Sequence, residues 1–312
     1  MHWDIDKLKQ IYNSLIYQYE LESDISQKRI INNDICNISL LISFYDKKFI
    51  VNNEYIDNLS NDTKCHQYIK RHYRSILELL NRYSYIPINS CSGTQLNDYE
   101  YEQLIKEFFQ QYQFLLFTTF INLKSDNRIE INNDQRFSDG FSSRGACSYC
   151  ASINKSYVYA FFDNNTINSH FLPHELAHAA FASKFPDLKC FVKRIDSLFM
   201  ETYPKYVELL FFDYLAKKGY PKDATYLKEM FWYHFIKTIK IHGDKRNYTE
   251  TLQYIISSLT AMLLFEEYKK SHSNDIIRDF NKYYINHTDY QVIKDIGLKR
   301  ILNGGRNYFL QK

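Results

Sequence analysis

Apolar residues spaced at the period of a helix run through almost the whole chain and give way once, to a short β-rich stretch near its middle. Leu8, Ile11, Leu15, Ile16 and Tyr19 recur at three- and four-residue steps, and so do Ile69, Tyr73, Ile76, Leu79 and Leu80. Each set makes one apolar stripe along a helix. A third helical pattern covers 99–123. Breaks at Asn52-Asn53, Asn61-Asp62 and Pro87-Ile88-Asn89-Ser90 separate the patterns, so a bundle of about four helices is expected before residue 128. Only 8 Gly and 5 Pro punctuate 312 residues, and so few chain breakers favour long helices over a turn-rich sandwich or barrel.

Between residues 128 and 162 the pattern changes. Short β-rich runs, Arg128 to Ile131 and Ser156-Tyr157-Val158-Tyr159-Ala160-Phe161-Phe162, flank a Gly-bearing segment around Gly140 and Gly145. Helical patterns then return over 171–183, 195–218, 222–241 and 249–271. The expected fold is mainly α with a small sheet, made of an N-terminal helical region, 1–127, and a second region, 128–312, packed as one unit.

Composition removes several classes of function. Hydrophobic residues at 45% and charged residues at 24% exclude a disordered chain. The balance of 39 basic against 36 acidic residues is +3, with no basic stripe to follow a phosphate backbone, so no nucleic-acid partner is expected. The longest strongly apolar stretch, 114–121, is too short to span a membrane. The N-terminus lacks the basic and apolar regions of a secretory signal, which predicts a cytoplasmic protein. Six scattered cysteines are expected as thiols, and the Cys147-Ser148-Tyr149-Cys150 pair lacks the second pair that a zinc knuckle needs.

The helical pattern after the β-rich stretch contains His174-Glu175-Leu176-Ala177-His178. Histidines at i and i+4 share a helix face and can ligate one Zn²⁺, while the Glu between them reaches a metal-bound water. A catalytic zinc needs a third protein ligand and an open position, and the next helix offers Glu201, 27 residues after His174. Glu208 follows two turns later on the same face, where it can accept a hydrogen bond from the free ring nitrogen of a ligating His.

These residues resemble the oligoendopeptidase F branch of the thimet-type (M3) zinc oligopeptidases. The resemblance begins at Arg144-Gly145-Ala146-Cys147-Ser148, runs through Leu172-Pro173-His174-Glu175-Leu176-Ala177-His178-Ala179, and includes Glu201-Thr202-Tyr203-Pro204-Lys205-Tyr206-Val207-Glu208-Leu209-Leu210. It implies a helical zincin-type catalytic domain with the small sheet beside the His-Glu-x-x-His helix. It also implies one zinc on His174, His178 and Glu201, with Glu175 as general base and Glu208 behind the ligands. The segment from Leu252 to Met262 is similar to the family helix that carries a catalytic Tyr, which assigns that role to Tyr254 with His242 before it; Tyr248 is the competing hydroxyl. Ala177 stands where the family usually has Gly, and the helical wall that precedes the zinc helix in typical members is expected to be much reduced.

The implied activity is hydrolysis of short, extended peptides, paired to the strand residues Tyr157, Val158, Tyr159 and Ala160 as an edge of the cleft. The alternatives are a dedicated peptide-maturation protease and a pseudoenzyme that holds peptides without cutting them. Glu175 argues against the pseudoenzyme, since a binder has no need of a base beside the metal.

Overall fold

The computed structural model describes residues 3–43, 46, 91–132, 144–184, 197–242 and 248–303. The expected stripe from Ile69 to Leu80 and the breaks around it lie outside the described residues. In chain order the elements are α1 (Ile5–Leu21), α2 (Ile25–Ser43), α3 (Asp98–Tyr112), α4 (Phe114–Ser125), β1 (Ile129–Asn132), β2 (Gly145–Cys150), β3 (Lys155–Phe161), α5 (Phe171–Ala182), α6 (Thr202–Lys217), α7 (Pro221–His242), α8 (Tyr248–Ser271), α9 (Asp275–Asn286) and α10 (Asp289–Ile296). The fold is mainly α with one small sheet. No described helix is long and apolar enough to cross a membrane.

Local chemistry starts the helices. Asp4 caps α1 by accepting from the Lys7 N–H, and Asn97 with Glu100 forms a reciprocal capping box on α3. Tertiary bonds decide two of the ends. The continuous pattern over 99–123 is two helices, because the chain turns at Gln113 (φ −148°, ψ 76°). There the buried Gln113 amide accepts from the Tyr203 hydroxyl at 3.1 Å and donates to Asn274 Oδ1 at 3.3 Å, while Asn274 Nδ2 donates to the Tyr112 carbonyl at 2.7 Å. The pattern starting at 195 becomes regular helix only at Thr202. Asp289 holds the preceding turn by accepting from the Ser197 hydroxyl and the Leu198 N–H.

The sheet has the order β1-β3-β2, with β1 parallel and β2 antiparallel to β3. Side chains alternate across a strand, so β3 feeds two cores. Val158, Ala160 and Phe162 join the large core formed with α3 to α6, α8 and the C-terminal helices. Tyr157, Tyr159 and Phe161 join Trp3, Leu8, Leu15 and the apolar stripe of α2 in a second core. The sheet is therefore a middle layer, and the larger core crosses residue 127 without a seam. Phe108, Phe109 and Phe211 are fully buried in it, each contributing about 1.5–3 kcal/mol relative to exposure.

Candidate functional site

Helix α5 leaves the sheet through a 3-10 turn at Thr166–Asn168 and carries Pro173 in its first turn, where a missing N–H costs little. Ala177, Ala179, Ala180 and Ala182 are small and buried around the helix, which lets neighbouring elements, α6 among them, pack close. His174 and His178 lie one turn apart with ring centroids separated by 5.0 Å. Helix α6 opens with Glu201 at its N-cap and presents Glu208 two turns later, both buried.

The geometry brings these residues together. Glu201 Oε2 lies 3.3 Å from His174 Nε2, and Glu201 Oε1 lies 3.3 Å from His178 Nε2. Donor atoms bound at 2.0–2.1 Å around a tetrahedral zinc are about 3.3–3.4 Å apart, and each imidazole meets one of the two Glu201 oxygens at that separation. His174, Glu175 and His178 also bring donor atoms within 4.8 Å of one another. Glu201 Oε2 is buried and makes no hydrogen bond among the described residues. Two imidazole nitrogens and an orphaned carboxylate oxygen form a donor set suited to a divalent metal. On the far side of the ring, His174 Nδ1 donates to Glu208 Oε1 at 2.5 Å, which leaves Nε2 directed at Glu201.

Glu175 projects beside this cluster, with Oε1 4.0 Å from His174 Nε2. The edge strand packs directly against it: a Cβ on Gly145 would meet Glu175 Oε1 at 2.5 Å, so only glycine allows this approach.

Burial and charge set the ionisation of the metal-free cluster. Burial raises the Glu175 carboxyl, against the pull of the neighbouring imidazoles. Burial opposes charge on His174 as well, but the Glu208 and Glu201 carboxylates outweigh it and raise His174 to about 10. Glu201 is driven well below the carboxylate range because the two histidines overcome its burial. Glu208, although buried, is lowered to about 2 by Lys205 and then by His174.

Sequence reasoning passed over two residues that the fold brings to the cluster. Lys205 donates to Glu208 Oε1 at 2.7 Å. Its position four residues after Glu201 and three before Glu208 carried the signal, since such spacings share a helix face. Cys147 lies two residues after Gly145, on the same face of β2, and its thiol is raised by burial and then by the Glu175 and Glu201 charges. Cys150, three residues on, faces the core of α1 and α2, so the two thiols lie on opposite faces of β2.

Of the expected oxyanion donors, Tyr254 lies in the first two turns of α8 and is 38% exposed. One turn further along, Ser257 donates to the Leu198 carbonyl at 2.7 Å, so this end of α8 runs beside the turn that leads into Glu201. His242 ends α7 and Tyr248 opens α8, and the side chains of both lie outside the described residues.

The expectation for Tyr157, Val158, Tyr159 and Ala160 is corrected. They belong to β3, the central strand, whose two edges are taken by β1 and β2, and all four are buried. Among the described strands, the edge beside Glu175 is β2. Phe161 N–H donates to the Arg144 carbonyl at 2.8 Å, so by antiparallel alternation Ala146 and Ser148 also face β3. The backbone groups of Gly145, Cys147 and Tyr149 then point away, and the Tyr149 carbonyl accepts from Asn37 of α2 at 3.4 Å.

No family model matches the chain, and no curated protein matches it by sequence. Two solved structures share its fold. One is a "putative oligoendopeptidase F" from Bacillus anthracis str. Ames, with a TM-score of 0.53 and 9% identity over 92% of this chain and 64% of that one. The other is a "putative peptidase" from Chlamydophila abortus, with a TM-score of 0.52 and 13% identity over 91% of this chain and 61% of that one. The chain thus spans less than two thirds of the length of either structure.

Proposed function

We propose that the chain is a zinc-dependent endopeptidase acting on short, extended peptides. One observation carries the reading: His174 Nε2 and His178 Nε2 each stand 3.3 Å from an oxygen of the Glu201 carboxylate, and Glu175 lies beside them. The fold shared with two peptidase-like structures supports it. Bound zinc supplies Lewis acidity, lowering the pKa of a coordinated water to about 7 and polarising a carbonyl oxygen. Glu175 takes the proton from the attacking water and later passes it to the leaving amine. Its raised carboxyl pKa suits that exchange. The deciding experiment is hydrolysis of a random peptide pool before and after chelation. Cleavage lost with the chelator and restored by about one equivalent of zinc supports the reading; cleavage indifferent to the chelator removes it.

Tyr254, with His242, donates to the oxyanion that develops on the scissile carbonyl. Losing one such donor costs about 10² to 10³ in kcat. Tyr254→Phe is therefore expected to stay folded and zinc-loaded, with a similar KM and a kcat lower by that factor. An unchanged kcat transfers the role to Tyr248.

The peptide pairs with β2 rather than β3. Gly145 and Cys147 offer their backbone groups at every second position, so a substrate strand engages them through alternate residues. N-methylation walked along a good substrate is expected to impair cleavage in an alternating pattern, by about 10-fold or more at the paired positions, the scale of one lost, desolvated hydrogen bond. A loss that is uniform along the peptide counts against strand pairing.

A further inference from the structure

Lys205 is the one lysine or arginine, among the described residues, that meets the carboxylates of the candidate site. Its ammonium donates at 2.7 Å to the same Glu208 oxygen, Oε1, that accepts from His174 Nδ1 at 2.5 Å. It lies 5.4 Å from the centroid of the Phe231 ring and is largely buried. Nothing in the ligand chemistry requires a lysine here, because Glu208 alone orients the imidazole.

Charge supplies a reason for it. Glu175, Glu201 and Glu208 bring three negative charges into one buried cluster when all are ionised; a divalent ion offsets two of them, and Lys205 offsets the third. Buried charge that is left uncompensated is costly. The shared oxygen adds a more local effect. A carboxylate on the outer nitrogen of a ligating His makes the imidazole a stronger donor to its metal, and a cation on the same oxygen draws part of that density back.

Building on the metallopeptidase reading, we propose that Lys205 is a positioning residue that tempers the metal centre: through Glu208 Oε1 it limits how strongly His174 donates, so that the ion is held less tightly and stays a stronger Lewis acid. The ionisation of both partners agrees. Burial alone lowers a lysine, yet Glu208 holds Lys205 above its ordinary value, while Lys205 is the strongest influence keeping Glu208 anionic against burial.

The test compares wild type with Lys205→Met, Lys205→Gln and Lys205→Arg, measuring zinc affinity by competition with a chromophoric chelator and peptide cleavage in the zinc-loaded protein. Without the cation, Glu208 keeps His174 as its partner, so the ligand geometry persists and only the balance of charge changes. Lys205→Met and Lys205→Gln are expected to bind zinc about 10-fold more tightly, with kcat reduced by a similar factor and KM unchanged, the scale seen for groups behind metal ligands. Lys205→Arg, which keeps the charge, is expected to stay within about threefold of wild type in zinc affinity, well inside that scale. Zinc binding in Lys205→Met and Lys205→Gln that is equal to or weaker than wild type overturns the proposal. So does an arginine variant that shifts with them, which assigns Lys205 to packing. Failure of Lys205→Met to fold leaves the glutamine and arginine pair to decide. A wild type that takes up no zinc defeats the metallopeptidase reading itself, whereas zinc-loaded wild type with unshifted variants defeats only this inference.

Discussion

Glu175→Gln is expected to abolish peptide hydrolysis while leaving zinc binding intact. The carboxylate stands 4.0 Å from His174 Nε2, outside the 3.3 Å contacts that join Glu201 to the two histidines, and the proposed function gives it the part of a base and not of a ligand. Glutamine keeps the shape that Gly145 leaves room for, and the packing between β2 and α5 should survive. It cannot accept a proton. General-base catalysis accounts for about 10² to 10⁴ in rate, and here the same group also protonates the leaving amine, so a loss at or beyond the upper end is expected. Zinc analysis and kcat measured on one preparation check it. A variant that keeps more than about a tenth of wild-type activity, far above that range, would move the base elsewhere.

The second large effect is on the metal. His174→Ala and Glu201→Ala are each expected to weaken zinc binding far beyond the roughly 10- to 100-fold typical of outer partners, because each removes a proposed direct ligand. If Glu201→Ala binds zinc as tightly as wild type, the third ligand is wrong. Zinc binding should also depend on pH in a defined direction. In the metal-free protein His174 titrates at about 10, and a metal can take Nε2 only by displacing a proton. Affinity is therefore expected to rise through the neutral range, by about tenfold per pH unit for one displaced proton, and to level off near pH 10. Stability of the metal-free protein follows the opposite sign. The folded pKa of His174 lies above its ordinary value of 6.5, so its contribution is complete below pH 6.5 and is lost as pH rises through about 10. Chelator competition across pH, with thermal melts of the metal-free protein beside it, measures both.

Much of the candidate site could be read from spacing alone. His174, Glu175 and His178 are neighbours because four residues make about one helical turn, and Glu201 and Glu208 share a face because seven residues make about two. The same rule was available for Lys205, but a lysine on a helix reads as a solvated charge until its surroundings are known. Periodicity likewise located α1, α5 and the body of α6, since apolar stripes at a 3.6-residue period have few other ways to be buried.

What the chain pattern left open is what depends on partners far away in sequence. Gln113 divides an unbroken helical pattern because Tyr203 and Asn274, 90 and 161 residues away, hold its amide. The β-rich run at 156–162 has the composition of a strand wherever it sits in the sheet, and only pairing with β1 and β2 made it central and passed the edge beside Glu175 to β2. The approach of α6 to α5, which turns a His-Glu-x-x-His repeat and a distant glutamate into one donor set, is also a packing outcome, set by small side chains on α5 and by the Asp289 anchor of the turn before Glu201. Backbone periodicity is a local property and sequence carries it directly. Which edge stays free, which carboxylate meets which imidazole and which lysine is drawn inside are settled by long-range contacts that no short window of sequence contains.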